Sequence, residues 1–266
     1  AGDFIKKLAK AIPKDWKAGS EWIEYCQKLR KKYPIVLSEY RNQDKWVNSY
    51  YFIEKLSEVL DNETVIVTDM GLSFVGTHQA FQIKIGQKLF TNSGHAPMGW
   101  GLPASIGAAM ATPDKKLICL SGEGGLMMNI QEMATVMHNN LPIKLFIYNN
   151  GGYLTIKQTQ QLGFEGRLMG STPESGISFP DFERIAKAHG FEYLRVEDNR
   201  ELSQTLENFI EMPGIGICEL MLDPEQSQIP KAINKRLPDG TTKPSVFEDL
   251  YPFLGEEELQ QGLIKD

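Results

Sequence analysis

Glu123 stands between Gly122 and Gly124 in the stretch CLSGEGGLMMNIQEM, directly after an apolar run with the character of a strand. Asn150 follows the next such run, in IYNNGGY, 27 residues further on. A carboxylate and a carboxamide at two strand tips are hard oxygen donors, and the glycines beside them expose backbone N–H groups. Gly122, Gly124 and Gly125 lie where a helix begins; its first N–H groups have no internal partner and its dipole favours negative charge. That arrangement cradles phosphate. A carboxylate next to phosphate repels it unless a cation lies between, and Mg²⁺ suits one carboxylate, one amide oxygen, a backbone carbonyl, phosphate oxygens and water. Glu123, the Asn150 side chain and the Gly152 carbonyl can supply the protein's share, so the expected ligand is a Mg²⁺-bound diphosphate. A glycine-rich turn also occurs with no ligand, because tight turns use glycine for positive φ. The pairing of GEGG with NN at equivalent tips favours the functional reading. The dinucleotide fingerprint fails, since its third glycine would fall at Met127, and no GxxxxGK loop occurs.

Two tips face one ligand only if the strands beneath them run parallel. KLICLS and IKLFIYN read as buried strands with a helix from Leu126 to Asn139 between them. Right-handed crossover makes such strands parallel and brings both following loops to one edge of the sheet, where open parallel sheets bind ligands. Earlier, TVIVTDMG is a strand ending at Asp69, preceded by a helical stretch from Lys45 to Leu60, and LPASIGAAMA is a small-residue helix. Later, FPDFERIAKAHG, FEYLRVE, Arg200 to Glu211 and GICELML alternate helix and strand. This alternation predicts an α/β fold, a parallel sheet flanked by helices on both faces. Residues 1–45 hold two short helices, Asp3 to Lys10 and Ser20 to Lys32, and read as a linker from an upstream domain. Residues 46–223 read as the α/β domain that carries these strand tips, and residues 224–266, with five prolines, read as an arm or lid.

Composition narrows the function classes. With 266 residues and 41 % hydrophobic content the chain can bury a sizeable core. A formal net charge of −6 gives no general attraction to nucleic acid or anionic membranes. Cys26, Cys119 and Cys218 show no CxxC spacing, which predicts reduced thiols and a cytoplasmic location. Met127, Met128, Met133 and Met137 read as core filler.

The pair GEG and NN, separated by 24 residues, resembles the thiamine diphosphate signature, usually written with GDG. NSGHAPMGWGLPASIGAAMA, MMNIQEMATVMHNNLPIKLFIYNN and PDFERIAKAHG run in the order found in the C-terminal cofactor domain of acetolactate synthase-like enzymes. NNGGYLTIKQTQ and DGTTKPSVFEDLYPFLGEEEL are most similar to the synthase-like proteins of surface-polysaccharide gene clusters. The resemblance implies that Glu123, Asn150 and the Gly152 carbonyl hold Mg²⁺, and that Gly122, Gly124 and Gly125 take the diphosphate with backbone groups of Gly71 and Ser73. Met98 matches the residue that bends the cofactor beneath its thiazolium, the alternative being plain core. Ala96 matches the position whose carbonyl receives the aminopyrimidine, and Tyr153 and Ile156 complete the cofactor contacts. Bending sets the 4′-amino group beside C2, whose proton it must take. Two positions depart from the pattern. Glu123 replaces the usual Asp and is one methylene longer, while Mg²⁺ tolerates little error in ligand distance. Thr159 falls where acetolactate synthases carry a Trp that shapes the acceptor site, which argues against branched-chain amino acid synthesis.

The implied activity is decarboxylation of a 2-oxoacid, pyruvate foremost, with transfer of the acyl carbanion to an aldehyde or keto acceptor such as a keto sugar. The alternatives are a simple 2-oxoacid decarboxylase and a cofactor-domain fragment inactive on its own. Enzymes of this kind need a glutamate from an N-terminal pyrimidine domain of a neighbouring subunit, so a homo-oligomer, dimer or tetramer, is expected for the full-length protein and little activity for this chain alone. A naturally split enzyme is the other possibility, and a flavin (FAD) in a central domain stays open. His95, two residues after Ser93, has the chemistry of a proton donor to the acceptor carbonyl; a packed structural histidine is the alternative. The stretch from Lys157 to Ser178 has four glycines and no sustained periodicity and is expected, with the arm, to be a lid that is poorly ordered or held by a neighbouring copy.

Overall fold

The computed structural model describes residues 1–17 and 19–263; Ala18, within the expected linker, and residues 264–266, within the expected arm, lie outside the described residues. The chain divides into two units, Ala1–Pro34 with the C-terminal segment from Leu254, and Ile35–Phe253. The first contains helices α1 (Gly2–Ala11) and α2 (Ser20–Lys32), neither of which buries a residue.

The second unit is built on buried apolar runs. Its elements are α3 (Ser38–Arg41), α4 (Ser49–Val59), β1 (Val65–Thr68), α5 (Leu72–Ala80), β2 (Lys88–Phe90), α6 (Gly101–Ala111) and β3 (Leu117–Gly122). There follow α7 (Glu123–Met128), α8 (Met133–His138), β4 (Ile143–Asn149), α9 (Leu154–Gly163), α10 (Phe182–His189), β5 (Glu192–Val196), α11 (Asn199–Glu211) and β6 (Gly216–Met221). The six strands form one sheet in the order β2-β1-β3-β4-β6-β5, every neighbouring pair parallel. Strands covered on both faces must be apolar on both, and VIVT, LICLS and IKLFIY are. One face packs on α4, α5 and α11 through Phe52, Ile53, Leu72, Leu206 and Phe209. The other packs on α6, α8 and α10 through Leu102, Met133, Val136 and Phe182. The α/β fold with helices on both faces is therefore as the sequence reads.

Side-chain caps fix three of these helices. Asn48 accepts from the N–H groups of Tyr50 and Tyr51, Asp181 from Arg184 and Asp198 from Arg200, each cap worth about 1 kcal/mol.

Four readings need correction. Met127 and Met128, read as core filler, are exposed at the end of α7, while Met133 is buried. The helix expected from Leu126 to Asn139 begins at Glu123 and breaks at Asn129 into α7, a 3₁₀ turn (Ile130–Glu132) and α8. Asn129 leaves helical geometry because its amide donates to the Gly99 carbonyl at 2.7 Å, across the sheet edge. The stretch from Lys157 to Ser178 is not without structure: α9 runs into it, and Thr172 caps a second 3₁₀ turn, Pro173–Ser175. Helix α5 and edge strand β2 also stand where no element was expected.

The arm expected over residues 224–266 is divided between the two units. Its first part lies against α4 and α9, with Gln226 accepting from Ser49 N–H at 3.0 Å and the Tyr50 hydroxyl donating to the Ile229 carbonyl at 2.9 Å, and continues through a small hairpin, β7 (Lys235–Arg236) and β8 (Thr242–Lys243). Its last part, α12 (Glu256–Gly262), belongs with α1 and α2: Tyr25 donates to the Gly262 carbonyl and Tyr33 to Glu258.

Candidate cofactor site

Strand order places the site. The connection after β1 leads to β2 on one side and that after β3 leads to β4 on the other, so the loops at the carboxyl ends of β1 and β3 part and leave a crevice. A cavity of about 340 Å³ opens there. The segment after β1 contributes Gly71 and Ser73, the loop before α6 contributes Ala96 and Met98, and the β3–α7 turn contributes Gly122, Glu123, Gly124 and Gly125. Asn150, Gly152 and Tyr153 enter from the turn after β4, and Ile156 from the first turn of α9. All twelve of these cofactor and metal positions read from sequence thus line one cavity. His95, next to Ala96 in the chain, is not among the lining residues, and it is exposed, so the alternative of a packed structural histidine does not hold.

Glycine is required here for stated reasons. A Cβ on Gly125 would lie 2.0 Å from Asp69 Oδ2, and one on Gly124 would lie 2.1 Å from the Tyr153 ring. Gly71 has φ 76° and ψ −136° at the start of α5, a region that only glycine occupies without strain. Ala96 is held at φ 49° without that freedom. A left-handed alanine costs about 1 kcal/mol, and the position bearing that cost is the one whose carbonyl the resemblance aims at the aminopyrimidine.

Glu123 is buried, and its Oε1 accepts N–H groups from Asn150 at 3.1 Å and Gly152 at 3.0 Å. Asn150 Oδ1 accepts the same Gly152 N–H at 3.2 Å. The extra methylene of Glu relative to Asp is thereby used to reach the facing turn. Burial pushes the Glu123 carboxyl up to about 7, against the downward pull of those N–H groups. A carboxylate held this way gains most from a cation, which offsets its desolvation. Among the described residues no three His, Cys, Asp or Glu side chains gather as a metal site, so a metal here relies on the mixed set of a carboxylate, an amide oxygen and a carbonyl. That all-oxygen set fits Mg²⁺, which binds few protein ligands and keeps phosphate oxygens and water.

Asp69 has a place in the site that the sequence reading did not give it. Buried at the tip of β1, it accepts from Ser121 Oγ at 2.9 Å, Gly99 N–H at 3.2 Å and Trp100 N–H at 3.2 Å, tying β3 and the loop before α6 to β1. Burial raises its pKa against the hydrogen bonds that lower it. Its position at a strand tip on the ligand edge was the available signal.

Residues 69–220 match the family described as "Thiamine pyrophosphate enzyme, C-terminal TPP binding domain". The chain is 32 % identical over 229 residues to acetolactate synthase isozyme 1 large subunit of Escherichia coli, covering 86 % of this chain and 40 % of that protein. It is 30 % identical over 236 residues to a probable acetolactate synthase large subunit of Methanococcus aeolicus, covering 85 % and 38 %. The mitochondrial acetolactate synthase catalytic subunit of Saccharomyces cerevisiae is 29 % identical over 234 residues, covering 86 % and 33 %. The chain therefore spans about two fifths or less of the length of these relatives.

Proposed function

The chain belongs to the thiamine pyrophosphate enzymes and carries their C-terminal TPP-binding domain, and on that premise we propose that it binds thiamine diphosphate with Mg²⁺ for 2-oxoacid decarboxylation and acyl transfer. The observation that supports this reading is the convergence of the cofactor and metal positions on one cavity at the parting of β1 and β3.

Glu123, Asn150 Oδ1 and the Gly152 carbonyl would hold the cation. Gly122, Gly124 and Gly125 would present N–H groups to the diphosphate, with Gly71 and Ser73 on the opposite wall. Met98 and Ile156, both partly exposed on the cavity wall, would support the thiazolium, and the Ala96 carbonyl would accept from the aminopyrimidine. Thiamine diphosphate, when bound, supplies a carbon nucleophile for the 2-oxoacid carbonyl and accepts the electron pair left when CO₂ departs. The protein's part is to hold that group bent, to neutralise its phosphates and to keep water from the reacting carbon.

Pyruvate is the proposed donor and an aldehyde or ketone the proposed acceptor. Thr159 on the exposed side of α9 is the position proposed to distinguish this acceptor from that of the acetolactate synthases. Turnover is proposed to need a glutamate from a pyrimidine domain in a homo-oligomer. His95 stays in the proposal only as a residue that substrate or a partner must approach from solvent. Calorimetry with thiamine diphosphate tests the reading: binding that strengthens with Mg²⁺ is expected, and no binding with or without Mg²⁺ refutes it. With pyruvate and acceptor, a lengthened carbon skeleton identifies acyl transfer, and free acetaldehyde alone identifies a simple decarboxylase.

A further inference from the structure

A line of polar side chains crosses three strands on one face of the sheet and ends beneath the turn that carries Asn150 and Gly152. On β5, Arg195 donates to Glu219 Oε2 through Nε at 3.0 Å and a terminal nitrogen at 2.9 Å, and the Tyr193 hydroxyl donates to the same oxygen. Glu219, on β6 directly opposite Arg195, is buried. Its other oxygen, Oε1, accepts from Asn149 Nδ2 at 2.6 Å, and Asn149 Oδ1 accepts from the Gly151 N–H at 3.1 Å. Gly151 has φ 72°, a left-handed conformation open to glycine, and this hydrogen bond fixes its N–H within the turn.

We propose that Glu219 is a positioning residue for the Asn149–Gly152 turn, acting through the Asn149 side chain. A carboxamide can rotate by half a turn and exchange its oxygen with its NH₂ group at little cost in shape. An ionised carboxylate has only acceptors, so Asn149 can meet Glu219 in one orientation alone, with its NH₂ towards Glu219 and its oxygen towards the Gly151 N–H. The reversed amide would set oxygen against carboxylate and NH₂ against N–H. Arg195 and Tyr193 donate to Oε2 and leave Oε1 for Asn149. Glu219 therefore selects the Asn149 orientation that pins Gly151, between the Asn150 side chain and the Gly152 carbonyl. The geometry stands without a cofactor; its consequence for metal binding rests on the function proposed above.

Hydrogen exchange followed by NMR on the cofactor-free 266-residue chain tests this. In the wild-type protein the Gly151 amide and the Asn149 side-chain NH₂ should both exchange slowly. Glu219→Gln keeps the shape but can present either an oxygen or an NH₂ to Asn149, and should speed Gly151 exchange about tenfold while the centres of β4 and β6 stay protected. The double variant Asn149→Asp with Glu219→Gln reverses the polarity of the pair: the Gln NH₂ donates to the Asp carboxylate, whose second oxygen accepts from Gly151. It should restore slow exchange at Gly151, which a merely structural role for Glu219 does not predict. Unchanged exchange in Glu219→Gln, or no recovery in the double variant, overturns the proposal. If Glu219→Gln does not fold, the wild-type spectrum decides, and rapid exchange of the Asn149 NH₂ overturns it. Titration of Mn²⁺ with thiamine diphosphate gives a separate readout, with affinity about tenfold lower in Glu219→Gln. Absence of metal binding by the wild-type chain would refute the functional reading, while the exchange data would still judge the role of Glu219.

Discussion

Charge is buried at both edges of the sheet, and the two edges treat it differently. At the amino edge, Lys144 at the start of β4 donates to the Met212 and Gly214 carbonyls at 2.6 and 2.8 Å, capping the end of α11. Lys84, only half-buried, likewise donates to the Glu58 and Leu60 carbonyls where α4 ends. These cations close helix ends, and the backbone beside them also turns through positive φ, at 98° for Gly86 and 74° for Gly214. At the carboxyl edge, Asp69, Glu123 and Glu219 are buried among N–H and hydroxyl donors. Here a cavity opens between the strand tips, with Gly71, Ala96 and Glu123 in its wall. Buried charge alone thus marks no site; buried carboxylates beside open volume do.

The largest expected effect sharpens that contrast. Gly125→Ala would place a methyl 2.0 Å from Asp69 Oδ2, forcing the carboxylate from Ser121 and the Gly99 N–H. Overpacking and a disrupted buried carboxylate together should cost about 3 kcal/mol or more and abolish cofactor binding. The same change at the amino edge, Gly216→Ala, meets side-chain ends of Met212 and Phe209 at 2.7 Å, which can shift, and should cost about 1 kcal/mol. Urea denaturation of both variants measures the difference; equal losses would show that the carboxyl edge is no more constrained than the other.

A paired substitution separates function from stability. Glu123→Gln keeps an oxygen for the Asn150 and Gly152 N–H groups but removes the charge. Stability should change by no more than about 1 kcal/mol, while Mg²⁺ affinity in the presence of thiamine diphosphate falls about 100-fold. Lys144→Met should do the reverse, losing about 2 kcal/mol as two carbonyls lose their donor and leaving metal affinity unchanged. Melting curves and Mg²⁺ titrations on both proteins check this. A Glu123→Gln protein with unaltered Mg²⁺ affinity would remove Glu123 from the metal site.

How much of this was readable from sequence follows from how each feature is encoded. β1, β3 and β4 are contiguous apolar runs because helices cover both their faces, and such runs announce themselves. The shared edge of Glu123 and Asn150 follows from parallel pairing alone. The break at Asn129 is set by the Gly99 carbonyl, 30 residues away in the chain, so no local pattern reports it. β2 is three residues long at the sheet edge with only Leu89 turned inward, too short for alternation to register. α9 escaped because one of its two buried positions is Lys157, a charged residue that hydrophobic periodicity discounts. Its ammonium is satisfied by the Pro224 carbonyl and Glu225, both in the segment after β6.

That last case yields the smallest expected effect, and it bears on the lid. Beyond α9, Ser175 holds the end of residues 164–171, its Oγ accepting the Ser171 N–H at 2.9 Å, and Gln160 fastens the rest: it donates to the Met169 carbonyl at 2.9 Å and accepts from Met169 N–H at 3.2 Å and Ser171 Oγ at 2.7 Å. Ser171 in turn accepts the Tyr153 N–H through its carbonyl at 2.9 Å, so the fastening leads to the cavity wall. Gln160 is only partly buried, and each bond should contribute no more than about 1 kcal/mol net. Gln160→Ala should therefore leave the melting temperature nearly unchanged while amide exchange across 165–171 rises several-fold and the sheet from Val65 to Asn150 stays protected. Segments that close over ligands are drawn from the low-stability end of a structure. If thiamine diphosphate and Mg²⁺ restore slow exchange in that variant, the segment behaves as a lid. Exchange as slow as in the sheet, in the cofactor-free wild-type chain, would instead make it packed structure and end the lid assignment.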